Sequence, residues 1–318
     1  MHPIWTEAVR TIHERLAPAG ALETCGDGED IERIARWIGD TRPEIVVAGG
    51  GDGTVSDVVA ALMQHPPGTR PALAILPLGT ANNVARSLGL TSIRTGGSEA
   101  VETAIAAVHV GPLRSLDVGR ANERYFVSSL AVGMDADILA LRNRLRRRFH
   151  LGRRIGGYPL YLWSCAVNAL LRNHGARTHL TVDGAEHTLQ LYNLLLTNTA
   201  LYAGEFMFDI ADRSDDGLLD LHTFANRGDY VVRFTRAWRR RVGYARGRSI
   251  VADTMQRVRT LSLSFDHPLP VQIDGEEYGP TPRLDVEALP SALRVQVPAA
   301  STNQRARDGV RTGERAYG

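Results

Sequence analysis

Up to about residue 112 the chain alternates β-like and α-like segments, and from 113 to 298 it is mostly strand-like. Alternating units of the first kind make a three-layer α/β domain with a parallel sheet, and the second stretch reads as a β-rich, sandwich-like domain. Two copies of one element anchor the first domain. Residues 44–54 read Glu-Ile-Val-Val-Ala-Gly-Gly-Gly-Asp-Gly-Thr, and residues 72–83 read Ala-Leu-Ala-Ile-Leu-Pro-Leu-Gly-Thr-Ala-Asn-Asn. Each is an apolar strand that runs into a glycine loop, after which a helical pattern resumes.

Taken in order, residues 4–17 predict a short helix and Asp30–Ile38 another, with Ile31, Ile34, Ala35 and Ile38 on one face. Strand 44–48, the first loop, helix 55–63, strand 72–76, the second loop and helix 83–88 follow. Ser98–Val108 predicts a further helix with Ser98 as its N-cap. Leu113–Val118 and Tyr125–Ala131 flank a polar Arg-Ala-Asn-Glu segment and read as a hairpin. Later strand-like stretches are 178–182, 188–197, 218–224, 258–265, 271–274 and 293–297, with helices expected near 158–172 and 229–243. The Gly- and Arg-rich tail after Pro298 has the composition of a disordered segment.

Composition excludes several chemistries. At 318 residues the chain has room for two domains, and a net charge of +2 names no partner. All 37 basic residues are Arg. Without Lys there is no phosphate-binding lysine of the P-loop or protein-kinase kind, and no Schiff base. Cys25 and Cys165 lack metal or redox spacing, which suits a reducing cytoplasm. Met1–Leu16 carries Glu7, Arg10, Glu14 and Arg15 through its apolar positions, unlike a signal peptide. Tyr158–Leu171 is shorter than the roughly 20 apolar residues that span a bilayer. The ten His show no ligand spacing.

Glycines in both loops let backbone N–H groups approach a polyanion, and the following helix contributes the positive end of its dipole. One such loop is weak evidence, whereas two in succession argue for a nucleotide phosphate site. The pattern Gly-Gly-Asp-Gly-Thr at 50–54 with Pro-Leu-Gly-Thr-Ala-Asn-Asn at 77–83 resembles the bacterial soluble diacylglycerol kinase family of lipid kinases, whose catalytic domain also appears in sphingosine and ceramide kinases. Further matches follow in family order: Leu116-Asp117-Val118-Gly119, Tyr125-Phe126, Val132-Gly133-Met134-Asp135, Asp215-Asp216-Gly217-Leu218-Leu219-Asp220 and Asp274-Gly275-Glu276. NAD kinases share Gly-Gly-Asp-Gly-Thr, but their Asn-Glu pair after the second strand is absent.

The resemblance implies an active site in the cleft between the two domains and transfer of the γ-phosphoryl group of ATP to a lipid hydroxyl with Mg²⁺. It assigns the triphosphate to Gly50, Gly51, Asp52, Gly53 and Thr54, with Gly79, Thr80 and Asn82 completing the nucleotide pocket. It puts the catalytic carboxylate at Asp274 and Glu276. It matches Asp216 and the Leu218 carbonyl to a loop that binds a structural Mg²⁺, with Asp212 or Asp215 as further ligands and Asp117 in the same acidic network. Chemistry favours Glu276 as the base, with Asp274 orienting it or engaging metal, because a primary alcohol needs a carboxylate within about 3 Å to take its proton. Asp274-Gly275 also reads as a plain hairpin turn, and the two readings are compatible. Asp215-Asp216-Gly217 reads equally as a solvated turn, and Asp52 as a cap for the helix after it.

Two departures from the family stand out. Members usually open with a strand ending in Asn-Pro and a Ser-Gly pair, whereas this sequence begins Met1-His2-Pro3-Ile4; a start codon placed too late accounts for this, the other reading being a sheet without its central strand. Asn83 stands where many members carry Asp, removing a charge from an Asp52/Asp117 network. Two Arg clusters, Arg142–Arg154 beside Tyr158–Trp163 and Arg233–Arg248 around Trp238 and Tyr244, suit anionic headgroups. They suit a solvated helix face equally, and neither sits in a nucleic-acid module. The expected partner is a lipid at the membrane surface, approached from the cytoplasm, and the reading admits a homodimer. A non-catalytic nucleotide- or lipid-binding protein is the alternative from another class.

Overall fold

The computed structural model describes residues 11, 14–16, 31–148, 160, 163–165, 167–168, 175–208, 214–245 and 256–299. The helix expected at 4–17, much of the one near 158–172, Cys25, Asp212, Arg153, Arg154, Arg246, Arg248 and the tail from residue 300 lie wholly or mainly outside them. The chain divides into two compact units, one running to Leu116 and resuming at Leu293, the other comprising Asp117–Ala292. The sequence placed 113–298 in one domain; the structure returns the last strand residues to the first.

In the first unit, α1 (Ile31–Thr41) buries Ile34, Ala35 and Ile38. β1 (Ile45–Gly50) pairs parallel with β2 (Ala72–Pro77) in unbroken register from Ile45↔Ala72 to Gly50↔Pro77. The two strands therefore end at the same level, and both glycine loops begin there. β2 is buried along its whole length, as a strand covered on both faces must be, and its apolar run reflects that. α2 (Asp52–Met63) follows β1, and its Val55, Val58, Val59 and Leu62 are buried. α3 (Asn83–Ser87) is a single turn after the second loop.

α4 (Ile93–Val110) begins at Ser92 rather than at the expected Ser98. Gly97, at φ +57°, breaks the helical path inside it, and a regular pattern can be read only beyond that point.

The second unit is a β-rich body of antiparallel pairs. β3 (Leu113–Ala121) turns at Asn122 into β4 (Arg124–Phe126), and β5 (Ser129–Gly133) is a separate strand. The sequence had joined β4 and β5. They part because the Val127, Ser128 and Ser129 N–H groups donate to the Asp274 carboxylate. α5 (Met134–Arg148) follows, a helix not expected from the sequence, whose first turn carries Asp135 and Asp137 and whose last carries Arg146–Arg148. That distribution complements the helix dipole at both ends.

β6 (Ala176–Val182) pairs with β7 (Ala185–Leu191). β8 (Asn193–Thr197) is split from β7 at Tyr192, whose N–H donates to the Phe224 carbonyl at 2.8 Å. β9 (Leu201–Tyr202) and β10 (Phe206–Met207) form a small ribbon. β11 (Leu219–Phe224), α6 (Arg227–Ala245) and β12 (Gln256–Val258) follow. β13 (Thr260–Ile273) and β14 (Glu276–Gln296) form a long hairpin with register shifts at Ser264/Leu269 and Val271/Gln272. The last residues of β14 run parallel to β2, with Val295 opposite Leu73.

Leu130, Leu196, Leu263 and Leu284 lie in the core of the strands. A second cluster, rich in aromatics, joins Tyr230 and Phe234 of α6 to Phe208 and Phe224. No helix among the described residues is long and apolar enough to cross a membrane.

Candidate active site

The first unit carries the paired glycine loops. The Gly50 carbonyl, at the end of β1, accepts the N–H groups of Leu78 at 2.9 Å and Gly79 at 3.0 Å. This stitches the second loop to the first. The glycines have a packing reason: a Cβ on Gly79 would overlap the Gly51 Cα and approach the Asn82 Oδ1 to 2.6 Å, while one on Gly50 would overlap Thr54. Asn82, left-handed at φ 50° and 2% exposed, donates through Nδ2 to the Pro77 carbonyl, the Gly79 carbonyl at 3.0 Å and the Ser92 hydroxyl at 3.1 Å. The Asn82 side chain thus holds the loop from within rather than facing outward.

Asp52 is the first residue of α2, whose N-cap, Gly51, makes no side-chain bond. Its carboxylate instead accepts the Asn83 N–H at 2.6 Å, at the head of α3. The expected cap therefore reaches across to the second loop's helix as well as to its own first N–H. Burial pushes the Asp52 carboxyl above the usual range, against the pull of the Asn83, Val84 and Asn82 amides. In α2, Val55 N–H makes the first turn's bond to the Gly51 carbonyl, at 3.1 Å. The Gly53 and Thr54 N–H groups precede it, at the dipole's positive end, where an anion is favoured. Thr80 is exposed at the loop tip.

The second unit, taken by itself, carries the turn between β13 and β14. Asp274 and Gly275 have φ of 49° and 83°, the two positive values of a two-residue type I′ hairpin. The turn reading therefore holds. Within it the acids behave differently. The Asp274 carboxylate, 9% exposed, accepts N–H groups from Val127 at 2.9 Å, Ser128 at 2.8 Å and Ser129 at 2.9 Å. The Glu276 side chain is exposed and makes no hydrogen bond or ion pair among the described residues. Glu277 turns away, taking the Asn143 amide at 2.7 Å and Arg147 at 3.6 Å.

Of the acids at the expected metal loop, Asp117 is fully buried and accepts the Gly217 and Ser291 N–H groups, both at 2.6 Å. Burial pushes its carboxyl up; the two amides pull it down, and Asp216 and Asp215 push it up again. Asp216 accepts the Leu218 N–H at 3.1 Å and pairs with Arg257 at 3.2 Å. Asp215 is half-buried and engaged as well. Among the described residues no group of three His, Cys, Asp or Glu could hold a metal ion. Asp212 lies outside them.

Residues of the same unit to which the sequence assigned no role support this frame. Asn198 donates to the Asp117 and Val127 carbonyls at 2.8 and 3.0 Å. Gln272 accepts the Gly275 N–H at 3.0 Å and donates to the Tyr202 hydroxyl at 2.9 Å. Asp135 is enclosed by Asn193 at 3.0 Å and the Tyr230 hydroxyl, and burial raises its carboxyl to about 6. Beside it lies an apolar cavity of about 250 Å³ lined by Met134, Ile138, Cys165, Tyr192, Tyr230 and Val231, with Arg227 also on its wall.

Two family models match successive stretches of the chain. The diacylglycerol kinase catalytic domain matches residues 4–121, and the YegS C-terminal NAD kinase beta sandwich-like domain matches residues 128–297. A probable lipid kinase YegS-like protein of Chromohalobacter salexigens is 31% identical over 276 residues, covering 84% of this chain and 82% of its own. The chain belongs to the YegS-like family of lipid kinases. A second YegS-like relative, from Shewanella frigidimarina, is 28% identical over 269 residues, with 80% and 76% of the two chains covered. Among solved structures, a diacylglycerol kinase from Bacillus anthracis superposes on this YegS-like chain with a TM-score of 0.68 at 20% identity, covering 93% of this chain and 92% of that one. At that identity the superposition speaks for the fold, an α/β unit with a β-sandwich-like one.

Proposed function

We propose that this YegS-like chain transfers the γ-phosphoryl group of ATP to the hydroxyl of diacylglycerol or a similar lipid, with Mg²⁺ accompanying the nucleotide. The observation that carries the reading is the pair of stitched glycine loops at one level of the parallel sheet, with the Gly53 and Thr54 amides at the head of α2. Amide donors fixed in advance suit phosphoryl transfer, which is mostly positioning and charge stabilisation. Mg²⁺ bound to the triphosphate would neutralise charge on the transferred group.

Glu276 is the base. As the lipid oxygen bonds to the γ-phosphorus, the carboxylate takes the hydroxyl proton and the bond to the β-phosphate oxygen breaks, releasing ADP. Asp274 is a positioning residue: its oxygens take three amides, which fixes the turn that presents Glu276. The apolar cavity beside α5 and α6, about 250 Å³, has room for part of an apolar chain and supports an acceptor that carries one. We assign membrane contact to α6, where Val231, Val232 and Trp238 are exposed among Arg236 and Arg239.

The test is transfer of labelled γ-phosphate to micelle-dispersed diacylglycerol, monoacylglycerol, sphingosine and ceramide, with NAD as a soluble control and Glu276→Gln alongside. Labelled lipid that disappears with the Gln variant supports the reading and names the acceptor. Label in NAD would transfer the chain's activity to NAD phosphorylation. No label in any acceptor would overturn the assignment and leave a binding protein.

A further inference from the structure

We propose that the acidic loop at 214–218 is closed by a cation belonging to the chain itself, Arg257, and holds no divalent metal. The family resemblance puts a structural Mg²⁺ there, on Asp216 and the Leu218 carbonyl with Asp212 or Asp215 as further ligands, and the donors among the described residues do not fit it. One Asp216 oxygen accepts the Leu218 N–H at 3.1 Å, and the other lies 3.2 Å from the Arg257 guanidinium. Both Asp117 oxygens accept backbone N–H groups, from Gly217 and Ser291. An oxygen that takes an amide proton can still meet a metal, but a carboxylate already carrying a guanidinium presents a repelling charge to any second cation.

Arg257 is placed by the backbone. β12 lies antiparallel on β11, which begins directly after the loop, and the register sets Arg257 opposite Asp220. From that position its side chain reaches back to Asp216. A second arginine reinforces it, since a Cβ on Gly217 would sit 3.5 Å from a guanidinium nitrogen of Arg259. The Asp216 carboxylate thus meets the Arg257 guanidinium, with that of Arg259 beside Gly217 in the same loop. The Asp216 and Arg257 side chains are 26% and 35% exposed, so the pair is sheltered from full screening.

The functional consequence is that any divalent requirement of this chain belongs to its nucleotide alone. The inference does not rest on phosphoryl transfer, and its test needs none. Thermal unfolding of the full chain would be followed without nucleotide, in EDTA and in excess MgCl₂ or CaCl₂. The expected result is one melting temperature in all three. Arg257→Ala should lower it in EDTA by about 2–4 °C, a loss of roughly 1 kcal/mol, and Mg²⁺ or Ca²⁺ should restore it by occupying the vacated carboxylate. Arg257→Lys, which keeps the charge, should stay insensitive to metal.

A rise in the wild-type melting temperature with either metal would overturn the proposal, as would an Arg257→Ala protein that melts like wild type in EDTA. Should that variant fail to fold, terbium luminescence on the wild-type chain decides. Saturable binding at one site without nucleotide contradicts the proposal, and none sustains it.

Discussion

The Asp274 carboxylate accepts the N–H of Ser128 at 2.8 Å, joining residues 146 positions apart. With the Val127 and Ser129 bonds, this converts a two-residue hairpin turn into a fixed platform. Removing the carboxylate strands three buried amides. Asp274→Ala should cost about 3–5 kcal/mol in urea unfolding, the range for breaking a buried charged network, with activity falling along with folded fraction.

Glu276 sits two residues on, exposed and without a partner among the described residues. Glu276→Gln should leave the urea midpoint within about 0.5 kcal/mol of wild type and slow transfer by roughly 10²–10⁴. The two neighbouring acids thus separate cleanly, one by stability and the other by turnover. A Gln variant as active as wild type would remove Glu276 from the chemistry.

The Asp135 carboxyl is raised from its ordinary value of 3.8 to about 6 by burial. The folded state therefore holds this proton longer than the unfolded chain does. Its stabilising contribution is complete below pH 3.8 and is lost as pH rises through about 6. Asp135→Asn should abolish that slope. Unfolding free energies of the two proteins, compared from pH 4 to 7, should diverge by on the order of 2 kcal/mol in favour of Asn at the upper end. Parallel curves would show that Asp135 does not titrate in this window.

Gly79 and Gly68 make a matched pair. A methyl group at 79 meets the Gly51 backbone, whereas at 68 nothing lies within 4 Å. Gly79→Ala should lose about 1–3 kcal/mol to overpacking and weaken ATP binding by calorimetry, because the two loops must separate. Gly68→Ala should be silent in both.

The alternation of β1, α2, β2 and α3 was legible because each strand is a short apolar run closed by glycine. The two loops were legible for the same reason. α5 was not: Met134, Ile138, Leu141 and Leu145 do fall at helical spacing, but the arginines crowded between and after them make the segment read as a basic cluster. The split of β4 from β5 was hidden because it depends on Asp274, far along the chain. Asp274 itself was legible as part of a turn motif, but which acid would be tied and which left exposed is set by amide geometry that no spacing reveals. Gln272 and Asn198 carried no sequence signal: their roles exist only once distant carbonyls and hydroxyls are brought beside them.

β14 begins at Glu276 and ends in register with β2, at Val295 opposite Leu73. The first unit is therefore discontinuous, and its sheet acquires this strand only from the far end of the chain. On the ribosome, residues 31–116 emerge early yet must wait for Leu293–Gln296 before β2 has its second neighbour. Domains usually fold as they appear, N-terminal first; here the glycine loops follow strands whose sheet stays incomplete until the whole second unit has been made. A fragment ending before Leu293 would carry both loops and lack the strand that finishes their sheet.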